Sequence, residues 1–293
     1  MTKQIKKILL IGTDGQLGTD LRKVIDKNYE LLCPSIEELD IVQFSKTKEY
    51  IHQNHPDLII NTAAFHQVDE CEKDPQTSFL VNTSAVKNLA DVCKELDILL
   101  VHISTDYVFG LAKERRTPYT EQDLPAPVNI YGISKLAGEY CINYALKKYF
   151  IIRPAGLFGV AGAKGKGGNF IETMLKLAKD RGEVKVKNDE FTSPTYTKEL
   201  AESIAQLIKT NKYGVYHITS QGECSWYEFA QKIFELTDTK VNCQPVSSDE
   251  FPTIAKRPCY SVLDNKHLRE IGLDKISHWK DALKKYLREK GHI

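Results

Sequence analysis

Short apolar runs alternate with longer amphipathic stretches through the first half of the chain. Ile5 to Ile11, Tyr29 to Cys33, Asp57 to Asn61, Ile98 to Ile103 and Tyr149 to Pro154 are each brief and bounded by polar or turn-forming residues. That is how strands buried on both faces read. Between them, apolar positions recur at helical spacing: Leu17, Leu21, Val24 and Ile25 first, then Val42–His52, then Pro75 to about Leu96, then a helix carrying Tyr131 and Lys135. Four or five β-then-α units in series predict an α/β fold, a doubly wound parallel sheet (Rossmann-like) with helices on both faces.

Beyond Pro154 the pattern turns irregular. Gly159 to Gly168 is a basic, glycine-rich loop, and Asn169-Phe170 opens a helix. A strand at Val184–Lys187, a helix near Glu199–Lys209, a strand at Val215–Ile218, a helix from Ser225 and an amphipathic helix at Trp279–Leu287 follow. This predicts a sheet domain over 1–154 and a smaller C-terminal lobe over 155–293, with parts of 190–222 returning to the first domain. A cleft between lobes is the default ligand site.

Composition narrows the classes. Lys+Arg number 40 against 39 Asp+Glu, a balance that points away from nucleic-acid and membrane-surface partners. No apolar run is long enough to span a bilayer, and Met1 to Lys7 has no signal-peptide character. The 7 cysteines are odd in number and form no CxxC pair, which argues against a disulfide framework or a zinc site. A reduced, cytoplasmic setting is expected.

The chemistry gathers at strand ends. The first strand runs into Gly12-Thr-Asp-Gly15-Gln16-Leu17-Gly18 and then a helix. In that context Gly12 permits the tight turn, Gly15 lets backbone approach a pyrophosphate, and Gly18 lets the helix lie against the strand. The helix N-terminus offers free N–H groups to the anion. This makes 1–154 a candidate dinucleotide-binding domain, although the spacing is GxxGxxG rather than GxGxxG. The second strand ends in Cys33-Pro34-Ser35, without the acid that would hold a ribose hydroxyl or the Arg that would hold a 2′-phosphate. NAD and NADP therefore stay undecided on these residues.

The third strand opens into the small residues Thr62-Ala63-Ala64, which suit a planar ligand or simply a turn. The fourth delivers Ser104-Thr105-Asp106 to the sheet's carboxyl edge, where hydroxyls can meet a ligand or cap a turn. Asp69, Glu70, Glu72 and Asp74 read as helix-start acid and solvated surface rather than a metal site. Tyr131 and Lys135 stand four apart on one helix face, so a cation beside the phenol would draw its pKa down and make it an acid/base. Taken alone that spacing is common.

Together, Gly12/Gly15/Gly18, Ser104-Thr105 and Tyr131/Lys135 in this order resemble the extended short-chain dehydrogenases/reductases. Within them the chain is similar to the dTDP-4-dehydrorhamnose reductase family. Gly15-Gln16-Leu17-Gly18, Val68-Asp69, Ser104 to Phe109, Tyr131-Gly132 with Lys135 to Glu139, Gly168-Asn169-Phe170, Ser225 to Ala230, Arg257-Pro258 and Ser261 to Asp264 carry the likeness across nearly the whole chain. The resemblance implies NADPH or NADH, with a slight lean to NADPH, reducing the C4 keto group of a nucleotide-linked 6-deoxy sugar. The sugar nucleotide it implies first is dTDP-4-dehydro-L-rhamnose.

It implies Tyr131 as acid/base, Lys135 as its partner and ribose contact, and Thr105 as the third member. Gly12, Gly15, Gln16, Leu17, Gly18, Asp40, Ile41, Ala63, Ala64 and Phe65 are implied to hold the dinucleotide. Thr105, Asp106, Gly156 and Asn169 are implied to hold the sugar nucleotide. The magnesium ion attributed to the family between subunits, and the homodimer it would imply, have no assignable residues here.

One departure concerns the sugar pocket. Where the family usually has Arg-Thr-Ser-Trp, this chain has Arg153-Pro154-Ala155-Gly156, and Phe158 or the 161–168 loop is expected to fill the gap. Other readings are a 4-ketoreductase for a different nucleotide sugar and a non-catalytic binding subunit, such as the regulatory subunit of methionine adenosyltransferase. The intact Thr105, Tyr131 and Lys135 argue against the last.

Overall fold

The computed structural model describes residues 4–25, 28–162 and 168–293. β1 (Lys7–Ile11), β2 (Glu30–Leu32), β3 (Leu58–Asn61), β4 (Leu99–Ile103) and β5 (Tyr149–Arg153) form one parallel sheet. Four of these strands are buried almost throughout because helices cover both faces. α1 (Gln16–Val24) lies on one side, and α2 (Phe44–Asn54), α5 (Ala85–Leu96) and α6 (Ile130–Ala145) lie on the other. The spatial order β2-β1-β3-β4-β5 places the reversal of winding between β1 and β3. In open α/β sheets, the crevice outside the carboxyl ends at such a reversal is the ligand site.

The stretch expected to be one helix from Pro75 is three pieces. α3 (Val68–Lys73) precedes α4 (Pro75–Phe79), and a π-helical turn at Leu80–Ser84 joins α4 to α5. The wider turn aims the Asn82 carbonyl at Gly138 of α6, where any side chain would overlap it. The Asn82 side chain meanwhile bonds Phe65 and Ser134. The tertiary contact thus holds a turn that periodicity does not encode.

After β5 come β6 (Leu157–Phe158), α7 (Phe170–Arg181), β7 (Glu183–Lys187), β8 (Phe191–Thr192) and β9 (Thr195–Tyr196). α8 (Thr197–Leu207), β10 (Gly214–His217), β11 (Cys224–Ser225), α9 (Trp226–Leu236), β12 (Asn242–Val246), α10 (Lys266–Glu270) and α11 (Trp279–Lys290) complete the chain. β10 joins the main sheet beside β5 as its sixth strand, while α8 and Leu268 to Ile276 pack on the α1 face. The remaining elements build a second core from α7, α9, α11 and β7 around Phe158, Phe229 and Tyr286. Ser225 starts α9 with a reciprocal capping box to Glu228. The basic loop noted in the sequence falls largely on residues 163–167, outside the described residues.

Candidate functional site

A cavity of about 1000 Å³ opens where the carboxyl ends of β1, β3 and β4 face α6, α7 and α9. Its floor is the turn between β1 and α1. Gly12 holds φ at +82°, and Cβ atoms at Gly12 and Gly18 would overlap Thr62 and the Gly12 carbonyl respectively. These two glycines are required by the fold itself. Gly15 is different: a Cβ there meets only the Gly12 carbonyl, at 3.5 Å, so the chain leaves the space above it open to the cavity. Gly15 also N-caps α1 without a side-chain acceptor, which leaves the helix-start N–H groups available to an anion.

Gln16 and Leu17 reach the cavity wall, but each also serves the fold. Gln16 accepts from Gly159 N at 2.9 Å and donates to the Leu157 carbonyl at 3.5 Å, stitching α1 to the second lobe. Leu17 is buried in the sheet core. Ala64 lines the cavity, whereas Asp40, Ile41, Ala63 and Phe65 are not part of its wall. Ile41 and Ala63 pack into the core, Asp40 accepts from Val42 N at 3.1 Å, and Phe65 N donates to Asn82 at 2.9 Å.

Tyr131, Lys135 and Thr105 converge on this space. α6 starts at Asn129, whose side chain accepts from Gly132 N at 2.8 Å. Gly132 then lets the helix press against the 3₁₀ turn at Asp106–Val108, since a Cβ there would overlap the Tyr107 carbonyl. That approach brings the Tyr131 phenol into hydrogen-bonding relation with Thr105. Thr105 Oγ1 in turn accepts from Tyr107 N and donates to Asp106, both at 3.1 Å.

Electrostatics differ from the sequence expectation. The Lys135 ammonium does not lower the Tyr131 pKa. Burial drives the phenol upward, and the Thr105 hydrogen bond only partly opposes it. Lys135 points past the phenol into the sheet: Nζ lies 2.6 Å from the Ile103 carbonyl and 3.3 Å from His102 Nε2. Burial brings Lys135 down to about 8, against the raising influence of Glu139. At rest Tyr131 is therefore a firmly protonated phenol, the state a proton donor needs.

Asp106 is also displaced from its ordinary value. Burial raises its carboxyl to about 6, although hydroxyls of Ser261 (2.6 Å) and Thr105 donate to it. Ser104 does not present its hydroxyl to a ligand. It donates to Glu139, which forms a buried two-point ion pair with Arg153 at 2.6 and 3.0 Å. This network ties the strand end that carries Thr105 to α6 and β5.

The wall missing at Gly156 is supplied from elsewhere in the chain. Gly156 sits at φ +50°, and a Cβ there would lie 3.5 Å from the Trp226 ring and 3.2 Å from Pro194 Cα. Trp226, paired with Phe170 at 4.7 Å between ring centres, lines the cavity at that point. Phe158, expected to fill the gap, is instead buried among Tyr196, Phe229 and Tyr286 in the second core. Asn169 reaches the cavity, but its amide caps α7 and donates to the Gly159 carbonyl and the Tyr286 hydroxyl.

Phe170, Trp226 and Arg257 are among the cavity residues that had no assigned role in the sequence. Arg257 pairs with Asp69 at 2.9 Å, and its Nη1 is buried with no hydrogen-bond partner among the described residues. The Gly168-Asn169-Phe170, Ser225-Trp226 and Arg257-Pro258 fingerprints were the signal that could have marked them. Asp69 also accepts from Ala255 N, and Asp74 caps α4, so part of the acidic cluster is structural. Among the described residues no group of three or more His, Cys, Asp or Glu is disposed to hold a metal ion. Likewise no helix is long and apolar enough to cross a membrane.

Residues 6–291 match the family described as RmlD substrate binding domain. Spore coat polysaccharide biosynthesis protein SpsK of Bacillus subtilis is 37% identical over 97% of this chain and 98% of its own length. A dTDP-4-keto-6-deoxy-D-glucose reductase of Streptomyces niveus is 36% identical over 94% of both. The crystal structure of dTDP-4-dehydrorhamnose reductase from Bacillus anthracis in complex with NADP superposes with a TM-score of 0.91. It is 37% identical and covers 98% of this chain and 100% of that one.

Proposed function

The chain belongs to the RmlD substrate binding domain family, and on that premise we propose that it is a nicotinamide-dependent nucleotide-sugar 4-ketoreductase acting on dTDP-4-dehydro-L-rhamnose. The observation that carries this reading is the meeting of Thr105, Tyr131 and Lys135 in one cavity whose floor is the open glycine turn. The space over Gly15 and the uncapped start of α1 fit a dinucleotide pyrophosphate. When bound, reduced nicotinamide supplies the hydride.

The chain's own residues do the rest. Tyr131 gives its proton to the carbonyl oxygen as that oxygen becomes an alkoxide, with Thr105 orienting the phenol. General acid catalysis of this kind contributes about 10²–10⁴-fold. Lys135, when charged, stabilises the phenolate left behind. The Arg257 guanidinium, with one nitrogen unpartnered, supports binding of an anionic diphosphate. Trp226 and Phe170 offer an apolar wall to the 6-deoxy sugar. No step is assigned to magnesium; among the described residues of one chain no group of three or more His, Cys, Asp or Glu is disposed to hold it.

A second reading keeps the chemistry and changes the sugar. It is favoured by Gly156 and by the name of the Streptomyces niveus relative. The deciding experiment measures NADPH and NADH oxidation with a panel of nucleotide-linked 4-keto-6-deoxy sugars, using Tyr131→Phe as control. Turnover of dTDP-4-dehydro-L-rhamnose is expected, with kcat lowered about 100-fold or more in the variant and cofactor affinity nearly unchanged. Robust turnover of another sugar, with none of this one, overturns the substrate. No turnover of any member overturns the reductase reading.

A further inference from the structure

Lys135 has two buried neighbours that the reaction does not use. Asn61 and His102 are register partners on β3 and β4, and both are fully buried. The backbone N–H of Ala63 donates to Asn61 Oδ1 at 3.1 Å. A backbone N–H can only donate, so the amide oxygen must face it. Asn61 Nδ2 is then the end that lies 3.3 Å from His102 Nδ1. An amide nitrogen is a donor, so His102 Nδ1 must accept, and a neutral imidazole then carries its proton on Nε2. Nε2 lies 3.3 Å from Lys135 Nζ. An ammonium, which has donors and no lone pair, would meet that N–H donor to donor, whereas a neutral amine accepts it.

We propose that Asn61 and His102 are positioning residues that bias Lys135 toward its neutral amine in the ligand-free protein. One amine N–H stays on the Ile103 carbonyl, and its lone pair receives His102 Nε2–H. The charged and titratable groups around Lys135 do not remove the bias. Glu139, one turn along α6, favours the ammonium, but its carboxylate is already held by Arg153 from β5 and by Ser104. Tyr131 is a neutral phenol, and Asp106 is turned to Ser261 and Thr105. His102 itself stays uncharged, because burial holds its pKa well below the ordinary histidine value. Burial likewise lowers Lys135.

The functional meaning rests on the reading above. With its midpoint brought down to about 8, Lys135 stands near its titration point, so an anionic nucleotide entering the site favours the ammonium that stabilises the Tyr131 phenolate.

The tests read protonation directly and so do not depend on activity. In ¹⁵N-histidine NMR of the ligand-free protein, with His102 identified by its loss in His102→Gln, the proton is expected on Nε2. In ¹³Cε-lysine NMR, with Lys135 identified through Lys135→Met, the midpoint is expected at least about two units below the ordinary 10.4. Asn61→Ala and His102→Gln leave net charge unchanged while removing the donor-to-donor conflict, and each should raise that midpoint by about one unit or more. A proton on Nδ1, a charged His102, an ordinary Lys135 midpoint in wild type, or a midpoint that stays put in either variant overturns the proposal. Should His102→Gln not fold, His102→Asn supplies the same assignment, so the wild-type tautomer still decides.

Discussion

Asp106→Asn isolates the cost of burying a carboxyl in the site wall. Asp106 is 4% exposed, and its pKa rises from 3.8 to about 6 because burial outweighs the hydrogen bonds from Ser261 and Thr105. The folded pKa lies above the unfolded one, so the folded state binds more protons across this window and stability falls as pH rises. Below about pH 4 both states are protonated and the contribution is absent. Between about pH 4 and 6 the loss is about 1.4 kcal/mol per unit, and above that it levels off at about 3 kcal/mol.

The amide of Asp106→Asn does not titrate. Any fixed penalty from turning an NH₂ toward a hydroxyl is independent of pH, so the slope reports only the carboxyl. Urea unfolding of both proteins from about pH 4.5 to about pH 8 should show the variant gaining about 2 kcal/mol relative to wild type across the series. A difference that stays flat would refute the argument by showing that Asp106 is ionised in the fold at no cost. A difference of opposite slope would mean that the hydroxyl donors dominate burial.

Gly15→Val should leave the fold intact yet reduce dinucleotide affinity about 100-fold or more, because its side chain enters open cavity; Gly18→Val should fail to fold, because it meets the Gly12 carbonyl. Fluorescence titration and thermal melts separate the two, and a Gly15→Val protein with unchanged affinity would remove the turn from the cofactor site. Trp226→Ala should raise KM for the sugar nucleotide by about 10-fold, equivalent to about 1–2 kcal/mol of apolar contact, with kcat less affected. Gly156→Trp, attractive on sequence grounds as a restored wall, should instead lower thermal stability, since φ is +50° and Pro194 lies against the site. A stable Gly156→Trp enzyme with improved KM would show that the backbone there relaxes.

The local text of the chain carried the strands, the glycine turn and the Tyr131/Lys135 face, because burial periodicity and cap residues act within a few positions of themselves. Asn169 and Ser225 mark helix starts for that reason, and α6 places residues 131 and 135 on one side by its pitch alone. Features that depend on two distant segments meeting were not legible. A return of parts of 190–222 to the sheet domain was expected, but the order of strands, the place of β10 beside β5 and the pairing of β12 with β7 depend on which edges find each other.

The π turn at residues 80–84 answers to Gly138 and Phe65, which lie far from it in the chain. Trp226 covers Gly156 although neither residue announces the other. The direction of the Lys135 side chain, away from the phenol and onto Ile103 and His102, required the sheet beneath it to be in place. Spacing brought the amine and the phenol to one helix face. The hydrogen-bonding of a buried strand then determined what each could do with its proton.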